Sequence, residues 1–371
     1  MIQSKYGMKM SKFNRTYTLP FKYKIPELTL DFLKKNSFIL RWLKFKKRQI
    51  YIKLKGQEQL EANSILPSQK RILWINISAP SLGDSLMDLS SRVLLIGRKV
   101  DLFTDKKNET LYKDDTIFRS VFSKEDNINA SNYDLIIIDS YSSRSIKVKA
   151  NIAPLLPYIG MYGYYNGPEV NRVLFSFHRL NHLLGCIKSE IEINSNARTL
   201  LSIAKADQLI VKQKKIPQNY IAIAIGGEWQ YRTYNKWKEV IELLFMQEEA
   251  LNIVIIGSDN GTKLAQDLME SFKSYNLYNC VAQFSFNQTA QIIYKAQLLL
   301  CCDGGLMHAG NAVNTGIVPL LSKLSSKMQL TDSIHDFSIF DKENVNNIDA
   351  VSIVKKYFEA SSFYDSHPQG E

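Results

Sequence analysis

Cysteine is scarce in this sequence, with four residues among 371. So few thiols do not make a disulfide scaffold, and the sequence has no CxxC pair or Cys/His spacing typical of a zinc site. Cys301 and Cys302 are adjacent in an apolar run, so a strand would place their side chains on opposite faces. We expect all four cysteines to be buried free thiols.

Long hydrophobic runs are also missing. No stretch reaches the ~18 uncharged apolar residues that a membrane-spanning helix requires. Residues 28–45 contain apolar stretches, but four basic residues interrupt them and no small-residue cleavage site follows, which does not fit a secretory signal. We therefore expect the protein to lie in the cytoplasm or on a membrane face.

Acidic residues are rare at the N-terminus. Residues 1–55 hold two acids against 15 Lys and Arg, a net charge of +13. Because the whole chain carries +11, residues 56–371 have a net charge of −2. The positive charge therefore belongs to a leader, and the rest of the chain is nearly neutral. Nucleic-acid binding rests on this charge alone, since RNP, zinc-finger and helix-turn-helix signatures are not evident, and we expect none.

Helix-forming residues dominate the leader from residue 29 to residue 55. Phe32, Ile39, Leu43 and Ile50 recur there at helical spacing, and basic residues recur on another face. Such a basic amphipathic helix is typical of a surface for anionic lipid. The alternative is a helix that packs on its own domain and leaves its basic side chains in solvent.

From residue 71 onward, strands alternate with helical segments in two series, which predicts parallel sheets. The first series has strands Arg71–Ile77, Val100–Phe103, Tyr133–Asp139 and Pro157–Tyr164, with helices over Asp84–Ile96 and from His178. After a polar stretch near Ser202–Pro217, the second has strands Tyr220–Ile225, Asn252–Ile256, Leu299–Cys302 and Val318–Leu321, with helices Trp237–Gln247, Thr262–Lys273, Gln291–Leu298 and Leu306–Val313. We therefore expect twin Rossmann-like domains with ligand sites at the carboxyl ends of their strands.

One candidate turn is Asp303-Gly304-Gly305-Leu306-Met307-His308, which follows a buried strand. Two glycines allow close approach of the backbone to a ligand, and the N–H groups of the following helix suit a phosphate. Asp303 is placed to orient the loop or to bind a hydroxyl. The alternative is a tight turn capped by Asp303, with His308 in the core.

A second candidate turn runs from Gly226 to Trp237. It opens with two glycines and carries Arg232 and Lys236, which suit the charge of a diphosphate. Alternatively, these two are solvated loop charges and Trp237 is a core residue. Both turns follow strands of the second series, which favours one phosphate-bearing ligand for both.

A third candidate turn, Ser78–Leu86, follows the first strand and contains one carboxylate, Asp84. A carboxylate at a strand end suits a general base that takes a proton from an attacking hydroxyl. The alternative is that Asp84 is an N-cap, because Asp before a helix is common.

Together these segments resemble glycosyltransferase family 9, which includes the ADP-heptose:lipopolysaccharide heptosyltransferases. The resemblance spans residues 70–325 and keeps the family's order. Three motifs lie in the first series: Ser81, Gly83, Asp84 and Leu86; Tyr133–Asp139 with a Ser/Arg segment and Ile159–Gly160; and His178–Gly185. Two lie in the second series: the basic loop Gly226–Trp237, and Asp303–His308, which is similar to the pattern D-[ST]-G-x-x-H.

The resemblance implies an α/β protein of the GT-B fold: two facing Rossmann-like domains with parallel sheets and an interdomain cleft, plus a basic N-terminal helical extension. We accordingly divide the chain into a basic leader (1–56), an acceptor domain (57–205), a nucleotide-sugar domain (206–345) and a C-terminal helix and tail (346–371). The resemblance also implies inverting, metal-independent transfer with no cofactor besides the nucleotide sugar. Helix N-termini and basic side chains would hold the diphosphate leaving group.

Residue roles follow from the matched motifs. Asp84 becomes the catalytic base. The donor and nucleotide site comprises Gly226, Gly227, Arg232, Lys236, Gly257, Asp303, Gly304, Gly305 and His308. The acceptor side comprises Ser81, Gly83 and Arg144, and no residue is assigned to a metal.

The implied function is extension of a lipid-linked glycan, the lipopolysaccharide or lipooligosaccharide core, on the cytoplasmic face of the inner membrane, with ADP-heptose as donor. Expected partners are the nucleotide sugar, the glycolipid acceptor and an anionic membrane surface contacted by residues 1–55. The chain departs from the family at Asn235, where a Lys is usual, at Lys238 in place of Pro, and at Gly304 in place of a hydroxyl residue.

These departures leave two alternatives open. One is another GT-B enzyme that uses a different nucleotide sugar, such as a protein glycosyltransferase or an epimerase. The other is a non-catalytic GT-B relative that binds a glycan or a nucleotide. The four cysteines do not form the iron-binding motif of the family branch that glycosylates autotransporters.

Overall fold

The computed structural model describes residues 38–163 and 171–367. The chain forms two compact units. The first ends at Arg198 and includes Thr331–Ser333, and the second comprises the rest from Thr199. Each unit contains one parallel sheet flanked by helices, as the alternating pattern predicted. Phe32 and the beginning of the predicted leader helix lie outside the described residues.

The first unit is built on a five-stranded sheet. Its strands are β1 (Arg71–Asn76), β2 (Lys99–Thr104), β3 (Phe118–Phe122), β4 (Leu135–Ile138) and β5 (Tyr158–Gly160), in the spatial order β3-β2-β1-β4-β5. Its helices are α1 (Phe38–Leu54), α2 (Leu82–Asp88), α3 (Lys106–Tyr112), α4 (Ser143–Ile152), α5 (Arg172–Leu183) and α6 (Glu190–Asn196).

The second unit is built on a six-stranded sheet. Its strands are β6 (Tyr220–Ala224), β7 (Asn252–Ile256), β8 (Leu277–Asn279), β9 (Leu299–Cys302), β10 (Ile317–Ser322) and β11 (Ile339–Asp341), in the order β11-β10-β9-β6-β7-β8. Its helices are α7 (Lys205–Gln213), α8 (Trp237–Gln247), α9 (Thr262–Ser271), α10 (Phe286–Lys295), α11 (Gly305–Ala312), α12 (Ser326–Gln329) and α13 (Ala350–Ser366).

The central strands are apolar runs buried on both faces, as expected where helices cover both sides of a parallel sheet. The adjacent pair Cys301 and Cys302 illustrates this arrangement in β9. Cys301 packs into one apolar cluster with Met307, and Cys302 packs against the cluster that contains Trp237, so the prediction of opposite faces is confirmed. The expectation that all four cysteines are buried is wrong for Cys186, which is exposed in the turn after α5, and Cys302 is only partly buried.

Two predicted helix starts need correction, because local capping sets them. Helix α5 begins well before His178, since the side chain of Asn171 accepts hydrogen bonds from two backbone N–H groups of the first turn. Helix α10 begins at Phe286, where Ser285 and Gln288 form a reciprocal capping box. The polar stretch near Ser202–Pro217, which separates the two predicted series, contains helix α7.

Helix α1 combines features of both interpretations of the leader. Phe45 and Ile52 are buried and join the apolar cluster that includes Ile146 of α4, so the helix packs on the first unit. Leu43 and Ile50, which the spacing also placed on the apolar face, are exposed by 49% and 59%. None of the described helices is long and apolar enough to cross a bilayer.

Candidate active site

Each sheet has a topological switch point, where successive strands are added on opposite sides. In the first unit it lies between β1 and β4, and in the second between β6 and β9. Ligands of open parallel sheets bind at such points, outside the carboxyl ends of the strands. The segments that directly follow these four strands contain Asp84, Arg144, Gly226 and Asp303, with Asp84 and Arg144 in the first turns of helices. The sheet order thus brings the candidate residues of each unit to one edge.

Asp84 lies in the first turn of α2 and is not its N-cap. Ser81 caps the helix: its hydroxyl oxygen accepts a hydrogen bond from the Asp84 N–H at 3.2 Å. The same hydroxyl donates to Oδ2 of Asp84 at 2.6 Å, and Arg172 Nη1 donates to Oδ1, also at 2.6 Å. The Asp84 side chain is 23% exposed, so the carboxylate is held in place and still reaches solvent. Gly83 is buried within the same helix.

Arg172, the first residue of α5, joins Asp84 to a second carboxylate. Its Nε and Nη2 atoms donate to the two oxygens of Asp88 at 2.5 and 2.8 Å. The Asp88 side chain is only 2% exposed, and burial raises its pKa while the charge of Arg172 opposes that shift. Burial lowers the pKa of Arg172, but the charges of Asp88, Tyr162 and Asp84 more than compensate and raise it above its ordinary value. The guanidinium therefore stays charged and compensates both acids.

The acid at the end of β4, Asp139, has a structural role. Its Oδ2 accepts hydrogen bonds from the N–H groups of Ile77 and Ser78, at 2.9 and 2.7 Å. Its Oδ1 accepts one from the Ser145 hydroxyl at 2.6 Å. The buried carboxylate thus fixes the chain leaving β1 against the start of α4. Arg144, in the first turn of α4, is exposed.

Gly226 follows β6 in a conformation that only glycine adopts easily, with φ of +83°. A Cβ atom at this position would lie 2.6 Å from the side-chain oxygen of Asn260. Gly257 follows the neighbouring strand β7, and a Cβ there would lie 2.5 Å from the carbonyl oxygen of Ile225. These glycines allow two strand ends and the loop of Asn260 to approach one another closely.

Arg232 and Asp303, predicted from separate turns, are brought together. Arg232 Nη1 lies 3.3 Å from Oδ2 of Asp303, and Gln329 Nε2 donates to the same oxygen at 3.3 Å. The Asp303 side chain is 7% exposed and that of Arg232 is 28% exposed. Arg232 is therefore not a solvated loop charge, and much of its charge is balanced by Asp303. Gln329 had no motif that marked it in the sequence.

The glycines after Asp303 leave room at the start of α11. Gly304 is the N-cap of α11 and has no side chain to cap it, and no atom lies within 4 Å of where its Cβ would be. Gly305 is the first residue of the helix. His308 is 3% exposed within α11, and its carbonyl oxygen accepts a hydrogen bond from the Thr199 hydroxyl. The helix N-terminus is thus open, and the His308 ring is packed inside the unit.

Lys236 and Trp237 form the beginning of α8. Trp237 is 1% exposed and packs edge-to-face on Tyr234 with ring centroids 5.1 Å apart. Trp237 is therefore a core residue, as the structural alternative predicted. Lys236 precedes it as the half-buried N-cap position of the helix.

A further cation lies at the same edge of the second sheet. Lys323 directly follows β10, and its Nζ atom lies 3.5 Å from the ring centroid of Tyr231. Sequence reasoning missed this pair, as it missed Arg172, because neither cation lies near its partner in the chain. No cluster of three or more His, Cys, Asp or Glu side chains suited to a metal ion occurs within residues 38–163 and 171–367.

The second unit therefore has the features of an α/β protein that binds a phosphate-bearing ligand: glycine turns, basic side chains and an open helix N-terminus at a switch point. At the switch point of the first unit, hydrogen bonds fix the carboxylate of Asp84 in a position suited to proton transfer.

The sequence comparison agrees with this class. Residues 171–336 match the model of glycosyltransferase family 9 (heptosyltransferase). The resemblance predicted from the motifs is confirmed by this match over residues 171–336, which supports glycosyltransferase activity. A search of curated proteins found no similar sequence.

Several solved structures are similar. A family 9 glycosyl transferase from Veillonella parvula has 13% identity and a TM-score of 0.68, over 81% of this chain and 100% of that chain. The E. coli ADP-heptose lps heptosyltransferase II has 13% identity and a TM-score of 0.60, over 80% and 99% of the two chains. E. coli heptosyltransferase WaaC with ADP-2-deoxy-2-fluoro heptose has 15% identity and a TM-score of 0.58, over 78% and 99%. At these identities the likeness concerns the fold, which is GT-B-like as predicted.

Proposed function

We propose that this glycosyltransferase transfers a heptose from ADP-heptose to the core of a lipopolysaccharide or lipooligosaccharide, with inversion at the anomeric carbon and without a metal ion. The observation that carries the proposal is the family 9 match over residues 171–336, because that range contains every donor-side residue predicted from the sequence. Two enzymes of similar fold are named as heptosyltransferases, which favours the same sugar here.

In the proposed reaction, Asp84 removes the proton of an acceptor hydroxyl while the hydroxyl oxygen attacks the anomeric carbon. The bond from that carbon to the diphosphate oxygen breaks, and the nucleoside diphosphate leaves with the electron pair. Oδ1 of Asp84 accepts a charge-assisted hydrogen bond from Arg172, and Oδ2 accepts a hydrogen bond from the Ser81 hydroxyl. Because a carboxylate oxygen has two lone pairs, capacity for the acceptor hydroxyl is left.

On the donor side, we propose that the N–H groups at the start of α11 and the guanidinium of Arg232 bind the diphosphate. Charge on the leaving group grows in the transition state, so fixed donors lower the barrier without reorganisation. Arg232 and Gln329 orient the carboxylate of Asp303, which suits it to accept a hydrogen bond from a hydroxyl of the nucleotide sugar.

We also propose that the enzyme works on the cytoplasmic face of the inner membrane, held there by residues 1–55. Helix α1 supports this proposal. With about 3.6 residues per turn, its exposed residues Leu43, Ile50 and Leu54 lie opposite the buried Phe45 and Ile52. Exposed lysines flank the outer apolar stripe. An apolar stripe with lysine borders is typical of helices that lie in an anionic bilayer surface.

The decisive experiment measures binding and product together. Calorimetric titration with ADP-, UDP-, GDP- and CMP-sugars identifies the nucleotide, and incubation with labelled ADP-heptose and core glycolipid identifies the product. Labelled glycolipid is the expected product. Labelled protein or an epimerised nucleotide sugar would instead support another GT-B enzyme, and donor binding with no product would support the non-catalytic alternative.

The proposed base has its own test within this assay. Asp84→Asn keeps the hydrogen-bonding shape of the side chain and removes its basicity. We expect this variant to bind the donor as the native protein does and to lose transfer. Normal turnover by Asp84→Asn would exclude the mechanism.

A further inference from the structure

We propose that Lys323, held against the ring of Tyr231, is a direct contact for the diphosphate of the nucleotide sugar. This inference rests on the proposed function, since it assumes that the second unit binds the donor. It adds a cation that no sequence motif marked and ties it to the loop that contains Arg232.

The position of Lys323 is set by the sheet. Strand β10 pairs in parallel with β9, with Leu320 opposite Cys302. Lys323 and Asp303 therefore leave neighbouring strands at the same carboxyl edge. The Asp303 N–H donates to the Leu320 carbonyl oxygen at 3.1 Å, which fixes this edge. Because β9 adjoins the switch point, Lys323 is one strand away from the predicted phosphate site.

Lys323 has an uncommon backbone conformation, with φ of +64°. A side chain with a Cβ is disfavoured there, and such residues persist only where the surroundings hold them. A cation–π contact with Tyr231 helps to stabilise this conformation: Lys323 Nζ lies 3.5 Å from the centroid of the Tyr231 ring. Tyr231 lies in the short turn Gln230–Arg232, so the contact connects the end of β10 to the loop after β6.

The charges at this edge explain why a second cation is useful. Asp303 balances much of the charge of Arg232, at 3.3 Å. A tyrosine ring has no net charge to balance the ammonium group, and Lys323 is exposed at the edge. The ring covers one side of the ammonium group, which leaves N–H donors for phosphate oxygens. Lys323 thus adds net positive charge where the diphosphate of the donor is expected.

The test is a calorimetric titration of the full chain with ADP, AMP and adenosine, in the native protein and in Lys323→Ala. We expect the variant to bind ADP about 10- to 100-fold more weakly, as for the loss of one charged hydrogen bond. The affinity for AMP should fall less than the affinity for ADP. Adenosine should bind the variant and the native protein equally well, which also shows that the variant is folded. Lys323→Arg should recover most of the ADP affinity.

Matched controls separate this role from general loss of charge. Lys295, at the end of α10, also has its Nζ over a tyrosine ring, 5.0 Å from the Tyr294 centroid. It precedes β9 and therefore lies at the amino edge of the sheet, so Lys295→Ala should leave ADP binding unchanged. Tyr231→Ala should weaken ADP binding, and Tyr231→Phe, which keeps the ring, should recover most of that loss.

Two results would overturn the inference, and they are distinguishable. If the native protein binds ADP and Lys323→Ala binds it equally well, the contact is wrong and the proposed function stands. If the native protein binds neither ADP nor UDP, GDP or CMP-sugars, the proposed donor site fails and the contact fails with it.

Discussion

Arg172 bridges Asp84 and Asp88, with Nη1 2.6 Å from Oδ1 of Asp84 and Nε 2.5 Å from Oδ1 of Asp88. The two acids are one turn apart on α2, where like charges repel. A bidentate guanidinium fits two carboxylates in a fixed plane, which an ammonium group does not. We infer a positioning role for Arg172: it contacts the proposed base Asp84 directly and is itself held by the buried carboxylate of Asp88.

This relationship predicts a split effect for substitutions of Arg172. Arg172→Lys keeps the positive charge but lacks the several N–H groups with which the guanidinium bonds both carboxylates. We therefore expect kcat to fall at least about tenfold, as for the loss of one charged hydrogen bond. The KM for the donor should change little, because the proposed donor residues lie in the other unit. Added guanidinium should restore part of the activity of Arg172→Ala, a result that a purely structural role would not give.

The same network predicts a stability effect. Arg172→Ala leaves Asp88 buried and uncompensated, so we expect the free energy of unfolding to fall by about 3 kcal/mol, measured by chemical denaturation. Arg71→Ala removes another bidentate pair, with Asp134, but its side chain is 46% exposed and little change is expected. Equal losses in the two variants would show that burial of Asp88 is not the cause.

Much of this architecture was predictable because the strands are buried on both sides. Continuous apolar runs such as Asn252–Ile256 and Leu299–Cys302 mark strands whose predicted and observed bounds agree. Strand β3 was missed because it is an edge strand with only Phe118 buried. The turns with candidate residues were predictable from glycines after strands.

Pairings between distant residues were not predictable in this way. Nothing local in the sequence links Arg172 to Asp84, or Arg232 to Asp303, because tertiary packing makes these contacts. The role of α1 was left open for the same reason. Its two apolar faces are both consistent with helical spacing, and only packing decides that Phe45 and Ile52 face the core.

The two faces of α1 predict how membrane binding can be tested. Deleting residues 1–55 would also remove core residues Phe45 and Ile52, so point substitutions on the outer face are the sharper test. Replacing Leu43, Ile50 and Leu54 with Ser should reduce binding to anionic vesicles by at least about tenfold, since each buried Leu or Ile contributes about 1.5–3 kcal/mol. Vesicle sedimentation measures the change.

A control and a salt series complete this test. Leu155, in the first unit, is 84% exposed, and Leu155→Ser should leave vesicle binding unchanged. Binding should weaken at high salt and on neutral vesicles, because the lysines contribute through the surface potential. If the triple variant binds anionic vesicles as the native protein does, the outer stripe is not a membrane contact.

Gly304 and Gly226 predict opposite effects of added side chains. Gly304 is extended, with φ of 170°, and has open space around its Cβ position, so Ser fits there. As an N-cap, that Ser should raise the free energy of unfolding by a few tenths of a kcal/mol. Gly226→Ala should lower it by more than about 1 kcal/mol, because the backbone is left-handed and Asn260 is too close. Thermal unfolding of both variants checks the prediction, and destabilisation by Gly304→Ser would contradict it.

Burial of the Lys149 amine leads to a prediction of how the stability of the first unit depends on pH. The side chain is fully buried on α4, its Nζ donates to the side-chain oxygen of Gln57, and the Tyr158 ring centroid lies 5.0 Å away. Burial lowers the pKa of Lys149 to about 8 from its ordinary value of 10.5. Between these two values the unfolded chain binds more protons than the folded one, so stability rises with pH.

The rise is measured against a variant that cannot titrate at this position. Relative to Lys149→Met, the native protein should gain up to about 3 kcal/mol in free energy of unfolding as the pH rises from 8 to 10.5. Chemical denaturation across this range gives the difference at each pH. Lys147, exposed on the same helix, provides the control, and Lys147→Met should follow the native profile. A constant difference between the native protein and Lys149→Met would show that the buried amine does not titrate there, and that Gln57 and the Tyr158 ring stabilise its charge against burial.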